Sequence, residues 1–163
     1  MSSGNSVSTS VDVPVDPATA FTVFTEEIDT WYQRGPHSWR YPDRALGIRI
    51  EPGVGGRVLE VHDATSGDGF AFGRITAWEP GSRFVFADLV SSAPPDLTEV
   101  EVRFEALGEG TRVTLEHRGL DLLPAEVSEQ KRMYGWQTVL AWYAEHYRGD
   151  VSGAARARST DRR

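Results

Sequence analysis

The chain contains no cysteine, two methionines and a single lysine, Lys131. Without cysteine there is no disulfide, no Cys-ligated zinc, no iron–sulfur cluster and no thiol nucleophile. Long apolar runs are missing too. None approaches the roughly 20 residues that a membrane-spanning helix needs. Positive charge is in deficit, with 24 Asp and Glu against 17 Lys and Arg, a formal net charge of −7. Neutralising phosphates takes a basic face, so no nucleic-acid partner is expected. The arginines Arg156, Arg158, Arg162 and Arg163 gather at the C-terminal end, where a solvated tail is expected. The first ten residues are rich in Ser, Gly, Asn and Thr and lack the basic and apolar regions of a signal peptide. No lipidation box is present. The expectation is a cytoplasmic protein with no membrane partner.

What is present suits one folded domain. The chain has 163 residues, of which 39% are hydrophobic and 10% aromatic. That is too apolar for a disordered protein and long enough to bury a core. The expected division is an N-terminal tail over 1–6, one domain over 7–149 and a disordered basic tail over 150–163.

Hydrophobic periodicity orders the elements. Val7, Val11, Val13 and Val15 alternate with polar residues, as a strand does. Asp16-Pro17 then supplies an N-cap and a first helical residue. Phe21, Phe24, Ile28 and Trp31 fall on one helical face, which predicts a helix ending near Trp31-Tyr32. From Leu46 to Arg118 the period is two, broken by Gly, Pro and Asp-Gly turns into about six strands. Met133, Trp136, Leu140, Tyr143 and Tyr147 restore a helical stripe. It predicts a long helix that starts between Pro124 and Ser128 and stops at Gly149. Strands this close in sequence pair as an antiparallel meander. The class is therefore α+β: about seven antiparallel strands with helices on one face.

Several stretches together resemble one family. They are Gly55-Gly56-Arg57, Gly73-Arg74-Ile75-Thr76-Ala77-Trp78-Glu79-Pro80, Arg83-Phe84-Val85-Phe86, Gly110 to Gly119, and Gly135-Trp136. In this order they are similar to bacterial homologues of the C-terminal domain of the heat-shock-protein-90 ATPase activator, within the START-like (SRPBCC) superfamily. The resemblance runs from about Val7 to Tyr147. It implies a helix-grip fold, a curved sheet wrapped round the C-terminal helix with a cavity between them. It also implies a small hydrophobic or aromatic ligand, lipid-like or polyketide-like. The alternatives are a polyketide-type cyclase or dehydratase and a stress-response interaction module. No residue of this chain transfers the chaperone association. A monomer or homodimer is expected.

The aromatic residues carry the ligand expectation, since aromatic walls with few polar groups describe a small-molecule pocket. The expected lining is Trp31, Trp39, Phe70, Phe72, Phe84, Phe86, His117, Met133, Trp136 and Leu140. Taken singly, each aromatic is also explained by core packing. His117 shares a strand face with Val113 and Leu115, so alternation turns it inward. Two roles are open to it: a proton shuttle, which makes it the catalytic candidate, or a core histidine with its hydrogen bonds satisfied. Arg74 and Asp88 share a face with Phe72 and Phe86 if strict alternation holds, whereas a bulge would turn them outward.

Other chemistry has weak support. Gly53-Val54-Gly55-Gly56-Arg57-Val58 begins like a phosphate loop but has Val where the third glycine belongs, and no Lys-Ser/Thr follows. A turn entering a strand is expected there. His37, His62, His117 and His146 form no metal-binding motif, and Glu60 with His62 makes two ligands without a third. Neither a metal nor any other cofactor is expected. No G-x-S-x-G nucleophile is present.

Overall fold

The computed structural model describes residues 6–33, 43–89, 98–120, 126 and 136–161. The elements run β1 (Ser6–Val13), α1 (Pro17–Thr25), α2 (Ile28–Trp31), β2 (Gly47–Ile50), β3 (Arg57–Val61), β4 (Gly69–Glu79), β5 (Arg83–Asp88), β6 (Glu99–Leu107), β7 (Gly110–Arg118) and α3 (Trp136–Asp161). All seven strands form one antiparallel sheet in the order β1-β7-β6-β5-β4-β3-β2. Only β1 leaves the meander, pairing along the far edge of β7. The sheet curls as a half-barrel over α1, α2 and α3, which is the helix-grip arrangement of an α+β protein.

Residues directly opposite on paired strands share a face. The inner face can therefore be traced strand by strand. Val7, His117, Val100, Phe86 and Ile75 form one row across it. Asp88, Gly73, Val58 and Ile50 form the next. Glu60 lies opposite Ile48 on one side and Phe70 on the other.

The core is aromatic and edge-to-face. Phe21 meets Trp78, Phe84 and Phe104 at ring distances of 5.1 to 5.9 Å. Tyr143 of α3 meets Phe24 at 4.9 Å and Trp31 at 5.2 Å. Its hydroxyl donates to the Ala20 carbonyl at 2.8 Å, tying the C-terminal helix to α1. Leu140, Tyr143 and Tyr147 are buried, so the helical stripe faces the sheet as its spacing predicts.

The outer face is an ion-pair ladder. Glu101 accepts from Arg83, Arg103 and Arg118 at 2.8 to 3.1 Å. Burial works to raise its carboxyl, but the arginine hydrogen bonds together outweigh burial and hold it below the ordinary range.

Three boundaries differ from the sequence expectation. The first helix is two, because Glu27 breaks the helical backbone (φ −108°, ψ 24°) after Glu26 closes α1 on the Thr22 carbonyl. The last helix does not stop at Gly149, and residues 150–161, expected as a disordered tail, continue it. An interior glycine costs a helix only about 1 kcal/mol, and Ala154 to Arg158 are strong helix formers. Strand β1 starts at Ser6, inside the expected tail. The start of the last helix, Gly135 and residues 1–5 lie outside the described residues.

Candidate functional site

Strand β4 decides which side chains enter the space under the sheet. Its register with β3 passes from Val58↔Gly73 to Leu59↔Ala71, so Phe72 is an extra residue. Its register with β5 passes from Ile75↔Phe86 to Ala77↔Val85, so Thr76 is another. Each bulge resets the alternation and bends the strand. Phe70, Gly73, Ile75 and Trp78 consequently face inward at spacings of three, two and three. Arg74 is exposed and lies opposite Ala87, away from Phe86. Strict alternation, which would put Arg74 and Asp88 on one face, is broken by the bulges, the alternative the sequence left open: Asp88 points in and Arg74 points out.

Asp88 belongs to a buried polar chain. His117 has 0% exposure, Thr98 1% and Asp88 4%. The Trp136 indole N–H donates to His117 Nδ1 at 2.9 Å. Thr98 Oγ1 lies 2.9 Å from His117 Nε2 and 3.4 Å from Asp88 Oδ2. An indole nitrogen can only donate, so Nδ1 is an acceptor and the neutral ring carries its proton on Nε2. The chain of donation is therefore Trp136 to His117 to Thr98 to Asp88. Phe86 and the His117 ring pack edge-on against Trp136 at 6.3 and 5.9 Å.

Gly73 makes the room beside Asp88. A Cβ there would sit 2.6 Å from Phe86 Cδ2 and 3.2 Å from Val58 Cβ. The Phe86 ring thus lies over the bare backbone of β4.

A second polar cluster stands two strands away. Glu60, 1% exposed, has Oε2 2.7 Å from His62 Nε2. Tyr32, just after α2, is pushed up to about 12 by burial first and by the Glu60 charge second. Its ring meets Trp142 of α3 edge-on at 5.2 Å. From the sequence, Glu60 and His62 read only as two metal ligands without a third. The pairing of Glu60 with buried Ile48 turns this carboxylate to the core, and that pairing is set by the strand register and not by the sequence pattern.

The other expected lining residues divide. Trp31 is buried against Phe24 and Tyr143, and its indole N–H donates to the Val23 carbonyl at 3.1 Å. Phe84 and Leu140 have 0% exposure and belong to the core. Phe70 and Phe72 are half-buried on β4. Trp39 and Met133 lie outside the described residues. The glycine cluster is a turn: Gly53 and Gly55 have φ of 91°, and the Gly55 N–H donates to the Ile75 carbonyl rather than toward a phosphate. Among the described residues, no three His, Asp or Glu side chains converge as a metal site needs. No helix among them is long and apolar enough to cross a membrane. Of the exposed large apolar residues, Leu46 precedes β2, Val54 lies in the β2–β3 turn and Leu107 ends β6. An open groove of about 260 Å³ lies elsewhere, between α1 and the β4–β5 turn, lined by Phe21, Trp78 and Pro80 among others.

Comparison with known proteins agrees with this geometry. The family described as activator of Hsp90 ATPase homolog 1-like protein matches residues 14–144. None of the curated proteins matches the chain. Among solved structures, the anthrahydroquino-γ-pyrone synthase Txn09 is 30% identical, with a TM-score of 0.58 over 86% of this chain and 96% of that one. CalU16 from Micromonospora echinospora is 19% identical, with a TM-score of 0.62 over 96% and 84%. The dimeric Aha1 from Colwellia psychrerythraea is 12% identical, with a TM-score of 0.62 over 87% and 95%. The last two similarities concern the fold.

Proposed function

We propose, from the premise that this chain belongs to the activator of Hsp90 ATPase homolog 1-like family, that it binds a flat, aromatic, polyketide-like small molecule between the sheet and α3. The observation that carries this reading is the polar chain Trp136–His117–Thr98–Asp88 buried among aromatic side chains. Packing alone does not call for it, because burying polar groups costs free energy that an apolar core avoids. A few placed polar groups in an aromatic wall are what orient a ligand. With both ring nitrogens engaged, His117 is held in one orientation and one tautomer. It serves as a fixed part of the wall, and Thr98 and Asp88 supply acceptors for a ligand hydroxyl.

Titration with an anthraquinone dye tests the reading through tryptophan fluorescence. The expected result is saturable quenching that weakens at least tenfold in Trp136→Ala. Unchanged quenching in that variant, or none in the wild type, would sink it. Native mass spectrometry of the purified protein then looks for a co-purified molecule of the same class.

A second reading is a cyclase-type enzyme, favoured by the 30% identity to a synthase. It requires His117 to exchange a proton, which means releasing either Trp136 or Thr98. Product formation from a poly-β-ketone substrate, lost in His117→Gln with binding retained, distinguishes it from binding alone.

A further inference from the structure

We propose that the groove between α1 and the β4–β5 turn receives an arginine side chain from an extended basic segment of a partner protein, with the guanidinium against Trp78 and paired with Glu26. This surface site is separate from the space between the sheet and α3. It stands whether or not a small molecule binds there.

The groove walls are apolar and fixed. Phe21 holds the Trp78 ring edge-on at 5.1 Å and Phe84 packs on it at 5.8 Å. Trp78 is still only half-buried, so part of the indole is left to line the groove. Pro52, from the β2–β3 turn, and Pro80, from the β4–β5 turn, complete the walls. Neither has rotamer freedom to lose on contact. The facing residues of α1 and the β4–β5 turn are small. A Cβ on Gly81 would come no nearer than 3.7 Å to the Ala18 Cα, so a larger side chain at Ala18 would fill this space. At about 260 Å³ the groove is below the ~300–1,000 Å³ of clefts that enclose a whole drug-sized ligand. It suits one side chain carried on a segment that crosses the open side.

Charge selects the side chain. Glu26 lines the same groove and is exposed. The carboxylates that flank the other lining residues are already taken. Glu51, before Pro52, binds Arg57 at 2.7 Å, and Glu79, between Trp78 and Pro80, binds Arg83 at 3.0 Å. No Lys or Arg among the described residues pairs with Glu26. It also stands at the C-terminal end of α1, whose last turn has no basic residue. A carboxylate there opposes the helix dipole, which favours a cation. A cation brought from outside answers the carboxylate and the dipole together. The formal charge of −7 draws basic partners from a distance. An indole beside a carboxylate favours arginine over lysine. The planar guanidinium is weakly hydrated and stacks on aromatic rings, while the apolar stem packs on the proline walls.

The probe is the acetylated and amidated peptide Ala-Pro-Arg-Pro-Ala, which its prolines keep extended. It is titrated into full-length, nitrogen-15-labelled protein at low salt, where exposed charges are least screened. The indole N–H resonance of Trp78, one of five tryptophans, is assigned with Trp78→Phe and reports occupancy. A saturable shift is expected. Glu26→Gln should weaken binding about fivefold, the upper range for an exposed ion pair. Citrulline in place of arginine keeps the shape without the charge. It should weaken binding to the wild type by as much, and make Glu26→Gln of no further consequence. Ala18→Leu should abolish the shift by filling the groove. Both variants change exposed side chains of α1 and its cap, so they fold. Asp63→Asn, in the turn at the opposite end of β4, removes one remote charge and should leave binding unchanged. Equal weakening by Asp63→Asn and Glu26→Gln would reveal attraction to net charge alone and overturns the proposal. So does a missing Trp78 shift, or one that survives Ala18→Leu. Equal affinity for acetylarginine amide would make the occupant a small cation, and overturns the partner segment.

Discussion

The indole N–H of Trp136, in the last helix, donates to Nδ1 of His117, in the last strand, at 2.9 Å. This bond joins the two final elements of the chain across the space under the sheet. It also sets the histidine tautomer, since a neutral ring that accepts at Nδ1 donates at Nε2, here toward Thr98 at 2.9 Å.

Trp136→Phe keeps a ring against Phe86 and deletes the donor. His117 Nδ1 is then a buried acceptor without its indole partner. The expected cost is about 1–3 kcal/mol, the penalty of an unsatisfied buried polar group. A denaturant melt measures it. Nitrogen NMR of the imidazole should show the loss of a single Nε2–H form. A melt unchanged from wild type would mean that the bond is not formed in solution.

Gly73→Ala tests the close approach of Phe86 to β4. The new Cβ would lie 2.6 Å from Phe86 Cδ2 and must displace the ring. Overpacking of this kind costs about 1–3 kcal/mol. Phe86→Leu in the Gly73→Ala background should recover part of the loss, giving a coupling energy of favourable sign in a double-mutant cycle. Simple additivity of the two changes would show that the ring is not what the methyl group meets.

Glu51 predicts an acid-dependent contribution. Arg57 binds both of its oxygens, at 2.8 and 2.7 Å, and holds the carboxyl at about 2, below its ordinary 4.5. The folded state thus favours the charged form. The stabilisation is complete above the ordinary value and is lost as pH falls through about 2. Glu51→Gln should flatten the stability profile across that interval and leave its shape at neutral pH unchanged. Parallel profiles for the two proteins in acid would refute the pairing.

Tyr32 predicts the opposite end of the scale. Its hydroxyl is pushed up to about 12, so its contribution is complete below the ordinary 10 and lost as pH rises through about 12. Ultraviolet titration should show a tyrosine ionising near 12 that disappears in Tyr32→Phe. Glu60→Gln should lower that midpoint without returning it to 10, because burial is the larger cause. An unmoved midpoint would show that the Glu60 charge does not reach the phenol.

Composition and periodicity determined much of this protein. The alternation through Val100, Val102 and Phe104, and again through Val113, Leu115 and His117, places those side chains on one face with no knowledge of the partner strands. The stripe through Leu140, Tyr143 and Tyr147 does the same for the helix. Such patterns are local, and burial of one face enforces them. What sequence could not decide lies where the pattern is broken or where partners are distant. The two bulges of β4 arise from its register with β3 and β5, so the inward turn of Gly73 and the outward turn of Arg74 belong to pairing rather than to period. The Trp136–His117 bond spans 19 residues and depends on where the helix comes to rest on the sheet. Glu60 and His62 are adjacent enough to read as a pair, yet whether that pair faces water or core was decided by Ile48 and Phe70 on either side. Titratable chemistry follows from burial and proximity, and both are properties of the packed tertiary structure.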